Sequence, residues 1–159
     1  MSFDKLFEFE QALADYTGAP YAVVTDCCTH ALELCFIVDH VEITEFTAFT
    51  YLSIPQLMNK LGIQYTLNDT EWVGEYKFEY TCIWDSARRL ERNMYRHGQK
   101  QCLSFGNGKP LHIGKCGAIL LDNEEDYQQL SRMRSDGRDL HQAPWQDHAV
   151  SKGYHYCPT

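Results

Sequence analysis

Short apolar runs of strand length alternate with segments of helical spacing along most of this chain, and that alternation restricts the fold more than any other feature. Residues 3–16 set Phe3, Leu6, Phe7, Phe9, Leu13 and Tyr16 at near-helical intervals, stopped by Gly18 and Pro20. Tyr21–Thr25 is a strand of the fully buried type. The next helix runs from His30 to Val38, with Cys28 or Thr29 as its cap. Strands over 41–46 and 63–67 flank a helix over 51–61 that Gly62 closes. After a polar connection, 78–84 is a strand ending at Asp85, 86–92 a helix, and Gly98 a break. Cys102-Leu103 and Ala118–Leu121 read as strands, Glu124–Met133 as a final helix, and 135–159 as irregular and aromatic. Strands and helices alternating at this spacing make βαβ units. The expected fold is α/β, three layers (αβα) around a mainly parallel sheet, and residues 1–159 form one domain.

A formal charge of -8 without a basic run argues against nucleic acid or an anionic membrane as partner. No apolar run reaches membrane-spanning length. The seven cysteines are odd in number, several sit inside apolar runs, and no secretory leader is expected ahead of them. They read as reduced thiols of a cytoplasmic protein. Without a CxxC pair or an HExxH motif, no metal site is expected; Cys27-Cys28-Thr29-His30 is too tightly spaced to hold one unaided.

Chemistry in an open α/β sheet gathers at the carboxyl ends of the strands. Three such ends carry reactive groups: Cys28-Thr29, Asp85, and the glycine-punctuated loop from Ser104 past Lys109 to Gly117. That loop is not a P-loop. Leu103 stands where the first glycine should be, and Pro110 follows the lysine in place of Ser or Thr. A helix N-terminus with a hydroxyl at Thr29 suits an anion, although Thr29 also suits a plain helix cap. Asp85 follows an apolar run, so its carboxylate needs a partner, which Arg88 could be. Lys109, with a depressed pKa, would attack a carbonyl and form a Schiff base. An anion cradle, a buried acid and a lysine are what pyridoxal 5'-phosphate requires of a protein.

With those residues in place, the chain resembles the DegT/StrS-type nucleotide-sugar aminotransferases, pyridoxal-phosphate enzymes of the aspartate aminotransferase fold (type I). The resemblance rests on Phe9-Glu10 with Tyr16-Thr17-Gly18, Ala22-Val23-Val24, Cys28-Thr29-His30-Ala31-Leu32, Phe49-Thr50-Tyr51, Ile83-Trp84-Asp85-Ser86-Ala87, Ser104 to Gly117, and Gly153-Tyr154-His155-Tyr156. It implies that Lys109 is the Schiff-base lysine and general acid/base, that Asp85 partners the pyridinium nitrogen, and that Ser104, Thr29 and the Cys28 backbone bind the phosphate. Tyr51 would stack on the cofactor (or else be a core tyrosine), Arg88 would sit by its phenolic oxygen, and His155 would reach the phosphate across a dimer interface. The implied activity is transfer of an amino group from an amino acid to a keto-sugar nucleotide by a homodimer with shared sites. The sequence departs from the family in having Cys28 and Cys116 at glycine positions and Arg88 where glutamine or histidine is usual. It also lacks a strand–helix passage before Asp85 and the C-terminal small domain. It therefore reads as a fragment or reduced form of the large domain. The other reading is a catalytically degenerate binding or assembly module without turnover.

Overall fold

The computed structural model describes residues 3–143, 145–147 and 151–158; Pro144, residues 148–150 and Thr159, expected as irregular, lie outside that range. In chain order the elements are α1 (Asp4–Thr17), β1 (Tyr21–Thr25), α2 (Cys28–Val38), β2 (Ile43–Thr47), α3 (Ser53–Leu61), β3 (Gln64–Asn68), β4 (Tyr76–Lys77), β5 (Ile83–Asp85), β6 (Lys100–Ser104), β7 (Gly117–Leu121) and α4 (Glu124–Arg134). Gly18 and Gly62 close α1 and α3 in the left-handed conformation, where glycine carries no Cβ penalty.

The three expected layers are present. Alternation along β1 divides the core: Val23 packs with Phe36, Met58 and Leu130 of α2, α3 and α4, while Ala22 and Val24 pack with Leu13 and Ala14 of α1. Both faces of the sheet are thus covered. Among the described residues no helix is long and apolar enough to cross a membrane.

The strand directions differ from expectation. The five-stranded sheet has the order β1-β7-β6-β5-β4, and only β5–β6 pairs in parallel within it. A parallel return needs a crossover of a dozen or more residues, usually a helix. The connection from β5 to β6 makes such a return without a helix, whereas the one from Ser104 to Gly117 doubles back at once, Phe105 N–H meeting the Cys116 carbonyl at 2.9 Å; β7 therefore lies antiparallel on β6, and β1 pairs antiparallel with β7. The one pair joined through a helix, β2–β3, is parallel and forms its own two-stranded sheet. Of the anticipated 78–84 strand only Ile83 and Trp84 are strand, in β5; Tyr80 turns with φ 65°, and Tyr76 of β4 lies opposite Asp85 in a hairpin. Residues 86–92 are not helical. Ser86, Arg89 and Arg96 are drawn to the Glu75 carboxylate instead, which spends on tertiary pairing the side chains a helix face would have displayed.

Two reversals restore a common direction, so β1, β5 and β6 all run the same way. Their carboxyl ends lie along one edge of the sheet, together with the start of β7.

Candidate active site

A cavity of about 400 Å³ opens at that edge, within the usual range for small-molecule sites. Its lining includes Cys28, Thr29, Tyr51, Asp85, Arg88, Ser104 and Lys109. Seven of the eight residues singled out from the sequence are therefore brought together from four separate stretches of the chain. His155 is not. It is exposed near the end of α4 and pairs with Asp136 at 3.0 Å.

The anion end is built by two helices. Cys27, not Thr29, is the N-cap of α2, and it caps without a side-chain bond. The Thr29 hydroxyl instead shares a hydrogen bond of 2.8 Å with Ser53, the first residue of α3. Two helix N-termini thus face one cavity, each presenting the positive end of its dipole. Ser53 was not legible beforehand, because the expected start of α3 lay at Tyr51. Cys28 carries its side chain away from the cradle: its thiol points to the Cys102 carbonyl at 3.7 Å. Burial, with the Asp85 carboxylate adding to it, pushes that thiol well above its ordinary pKa. A β-carbon at this glycine position is accommodated downward. The close approach itself is made by Gly117, where an added Cβ would overlap the Cys27–Cys28 backbone. Cys116, the other glycine departure, tucks toward the α1 core, and burial pushes its thiol up to about 11.

Asp85 is the buried acid, 6% exposed. Its expected partner is corrected: Arg88 does not pair with it. One carboxylate oxygen accepts the Ala87 N–H at 2.9 Å and the other accepts the Tyr76 hydroxyl at 3.0 Å. Burial raises its carboxyl above the ordinary value, while Ala87, Tyr76 and the Lys109 charge pull it back. Arg88 lies over the Trp72 ring at 5.9 Å, with its backbone N–H on the Gly74 carbonyl. Tyr76 was passed over as the end of a polar connection. The aromatic alternation Tyr76, Phe78 was the available signal for a strand.

Lys109 sits half-buried on the loop after β6, whose turn is held by Lys109 N–H to Gly106 O at 3.3 Å. Among the described residues no side chain hydrogen-bonds its amine. Tyr51 is 78% exposed at the rim, which removes the alternative of a core tyrosine. Asp26, Cys27 and His30 also bring their donor atoms within 4.8 Å of one another. His30 is already bonded to Asp26 at 2.6 Å and stacked on Tyr156.

Residues 2–72 match the sequence pattern of the DegT/DnrJ/EryC1/StrS aminotransferase family. Similar solved structures extend the likeness over nearly all of the chain. PseC of Helicobacter pylori, an aminotransferase involved in the biosynthesis of pseudoaminic acid, superposes with a TM-score of 0.75 at 15% identity, over 95% of this chain and 53% of its own. The sugar aminotransferase CalS13 of Micromonospora echinospora gives 0.75 at 14% identity, over 96% and 56%. Spr1654 of Streptococcus pneumoniae, known in a PLP-form and a PMP-form, gives 0.77 for the latter at 17% identity, over 98% and 55%. No curated protein matches the sequence. The chain spans little more than half the length of these structures, and at such identities they establish the fold alone.

The residues present fit pyridoxal phosphate. An amine, a buried carboxylate and a two-helix anion cradle surround one cavity of suitable size, and Gly117 leaves the cradle backbone uncrowded.

Proposed function

We propose that this chain holds pyridoxal 5'-phosphate in the cavity at the sheet edge and acts in amino-group transfer from an amino acid to a keto-sugar nucleotide. The observation that carries the reading is the meeting of Lys109, Asp85, Ser104 and the α2 N-terminus in one cavity. Bound there, the cofactor supplies an aldehyde that captures amines and a ring that accepts electrons from the bond being broken. The protein's part is to orient and to move protons. The α2 and α3 N-termini, Thr29 and Ser104 bind the phosphate. Asp85 keeps a proton on the ring nitrogen, and Tyr51 covers the ring face. Arg88 places positive charge by the phenolic oxygen. Lys109 would hold the aldehyde end of the cofactor, and its amine would be the group placed to carry a proton at the substrate carbon.

A homodimer is part of the proposal. Phe49, Tyr51, Leu52 and Val73 are exposed apolar side chains, Tyr51 among them lining the cavity, and His155, remote from its own site, would serve the partner's. All seven cysteines are free thiols, which suits a cytoplasmic setting. The limited span relative to similar structures supports a second reading, a module that binds the cofactor without turnover.

Pyridoxal phosphate added to the purified protein is expected to turn it yellow, and borohydride to fix one equivalent on Lys109, read by peptide mass. Lys109→Ala should lose the covalent product entirely. A colourless parent, or capture that survives in Lys109→Ala, overturns the proposal. Bleaching of the band by amino acids separates turnover from binding.

Asp85→Asn is expected to weaken cofactor binding without weakening the fold. Because burial raises the Asp85 pKa, its stabilising contribution is complete below the unfolded pKa and is lost as pH rises through the folded one. The asparagine variant escapes that loss, so its stability relative to the parent should grow as pH rises above the ordinary carboxylate range. Paired denaturant titrations would show this; a variant that falls behind the parent as pH rises refutes the burial argument.

A further inference from the structure

Tyr76 belongs to none of the motifs that carry the family resemblance, yet it touches the most buried acid of the site. Its hydroxyl lies 3.0 Å from Asp85 Oδ2 and 2.6 Å from Thr50 Oγ1. The ring is buried, wedged between Trp72 and Phe78 at 5.0 and 5.3 Å, so the hydroxyl has little freedom to leave. The placement comes from β4, where Tyr76 stands directly opposite Asp85 in the hairpin ladder. Burial and the Asp85 charge hold the Tyr76 phenol far above its ordinary pKa, so it keeps its proton. The hydrogen bonds therefore run one way, from Thr50 to Tyr76 and from Tyr76 to Asp85. With Ala87 N–H on the other oxygen, both carboxylate oxygens are engaged. Rotating the carboxylate would break one bond or the other.

We propose that Tyr76, backed by Thr50, is the positioning residue for Asp85, holding its carboxylate ionised and aimed at the protonated ring nitrogen of the cofactor. This rests on reading the cavity as a pyridoxal-phosphate site. A hydrogen bond donated to the charged form favours that form, and it does so most strongly where water is excluded. The other titratable groups facing Asp85 are Lys109 from the loop after β6, Cys28 from α2 and Cys102 from β6. Both thiols are pushed up by burial and stay neutral, so Tyr76 and Lys109 are what favour the anion. Thr50 also precedes Tyr51, so the relay ties the cavity rim to its floor.

The test uses Tyr76→Phe and Thr50→Val with two readouts. In the cofactor-free protein, the Asp85 carboxyl carbon is titrated by NMR. Its midpoint is expected to rise in Tyr76→Phe and to rise less in Thr50→Val. In the second readout, binding of pyridoxal phosphate is compared with that of its 1-deaza analogue, in which a CH replaces the ring nitrogen. Tyr76→Phe should weaken pyridoxal phosphate about tenfold, the low end for a hydrogen bond to a charged group, and leave the analogue unchanged. Equal weakening of both ligands means a purely structural role and overturns the proposal, as does an unchanged Asp85 midpoint. A parent that binds neither ligand sinks the cofactor reading and with it the aim at a ring nitrogen, while the NMR midpoint separately decides whether Tyr76 governs the carboxylate. Should Tyr76→Phe fail to fold, Thr50→Val carries both readouts.

Discussion

Replacing Glu10 by alanine is expected to remove about 3–5 kcal/mol of folding stability, the cost of stripping one partner from a buried ion pair. Glu10 of α1 meets Arg134 at the end of α4, and both are almost fully buried. The pair closes around the outer edge of β1, the terminal strand of the sheet. There Val24 N–H donates to Glu10 at 2.7 Å and Val24 C=O accepts from Arg134 at 2.8 Å. Two polar backbone groups of an exposed edge, a template for stray pairing, are thereby satisfied internally. The same contacts join a helix on one face of the sheet to a helix on the other. Alanine at position 10 leaves a guanidinium without its charge partner and an N–H without an acceptor. Against a total of about 5–15 kcal/mol, that loss brings the chain close to unfolding. The urea midpoint should fall by roughly 1–3 M. Glu10→Gln keeps an acceptor and should lose clearly less. A Glu10→Ala midpoint within about 0.3 M of the parent would show that the pair contributes little.

The pairing was not legible in the sequence. Glu10 belongs to the Phe9-Glu10 match of the resemblance but reads locally as an acidic residue of an amphipathic helix, and Arg134 as a basic residue near a helix end. Their contact spans 124 positions, and nothing local encodes it. What local pattern could give, it gave. The apolar run Tyr21–Thr25 is the strand that was read, to the residue, and the glycines at 18 and 62 end the helices before them. Strand direction was not local. Helix–strand alternation suggested a mainly parallel sheet, but direction depends on the path of each connection: the one before β7 doubles back, while the equally helix-free one before β6 returns in parallel. The short β4–β5 hairpin was hidden by the same limit. Two and three residues are too few to show a period, and the turn residue Tyr80 takes a positive φ that its type does not advertise.

The site was more legible than the sheet around it, because its residues sit at strand ends and helix starts. Lys109, Asp85, Ser104 and Thr29 meet whatever the order of the strands, provided that β1, β5 and β6 run alike. The supporting contacts escaped. Tyr76 on Asp85 and Ser53 on Thr29 depend on where β4 and α3 begin, and element boundaries are the weakest product of a sequence pattern.

Gly117→Ala is expected to damage fold and site together, through one methyl group. The φ at Gly117 is not in the left-handed region, so conformation is not the obstacle; space is. A Cβ there would fall well inside van der Waals contact of the Cys28 nitrogen and the Cys27 carbonyl carbon, with the Cys27 oxygen at 2.8 Å. All three are backbone atoms, which cannot rotate aside as a side chain could. Either the start of α2 moves off the sheet, or β7 withdraws and opens its pairing to Thr25 and Ser104. Overpacking of this kind costs about 1–3 kcal/mol or more. Both escapes displace the α2 N-terminus, so affinity for pyridoxal phosphate should fall by more than about tenfold, as misplaced N–H groups lose their aim at the phosphate. Gly108→Ala is the control. No atom lies within 4 Å of its added Cβ, its φ of 74° adds strain alone, and it lies outside the cradle. It should cost about 1 kcal/mol and leave the cradle's affinity for inorganic phosphate intact. Calorimetry with inorganic phosphate and with pyridoxal phosphate reads both effects. A Gly117→Ala protein that melts with the parent and binds both ligands as well would mean that β7 and α2 do not meet as closely as the cradle requires.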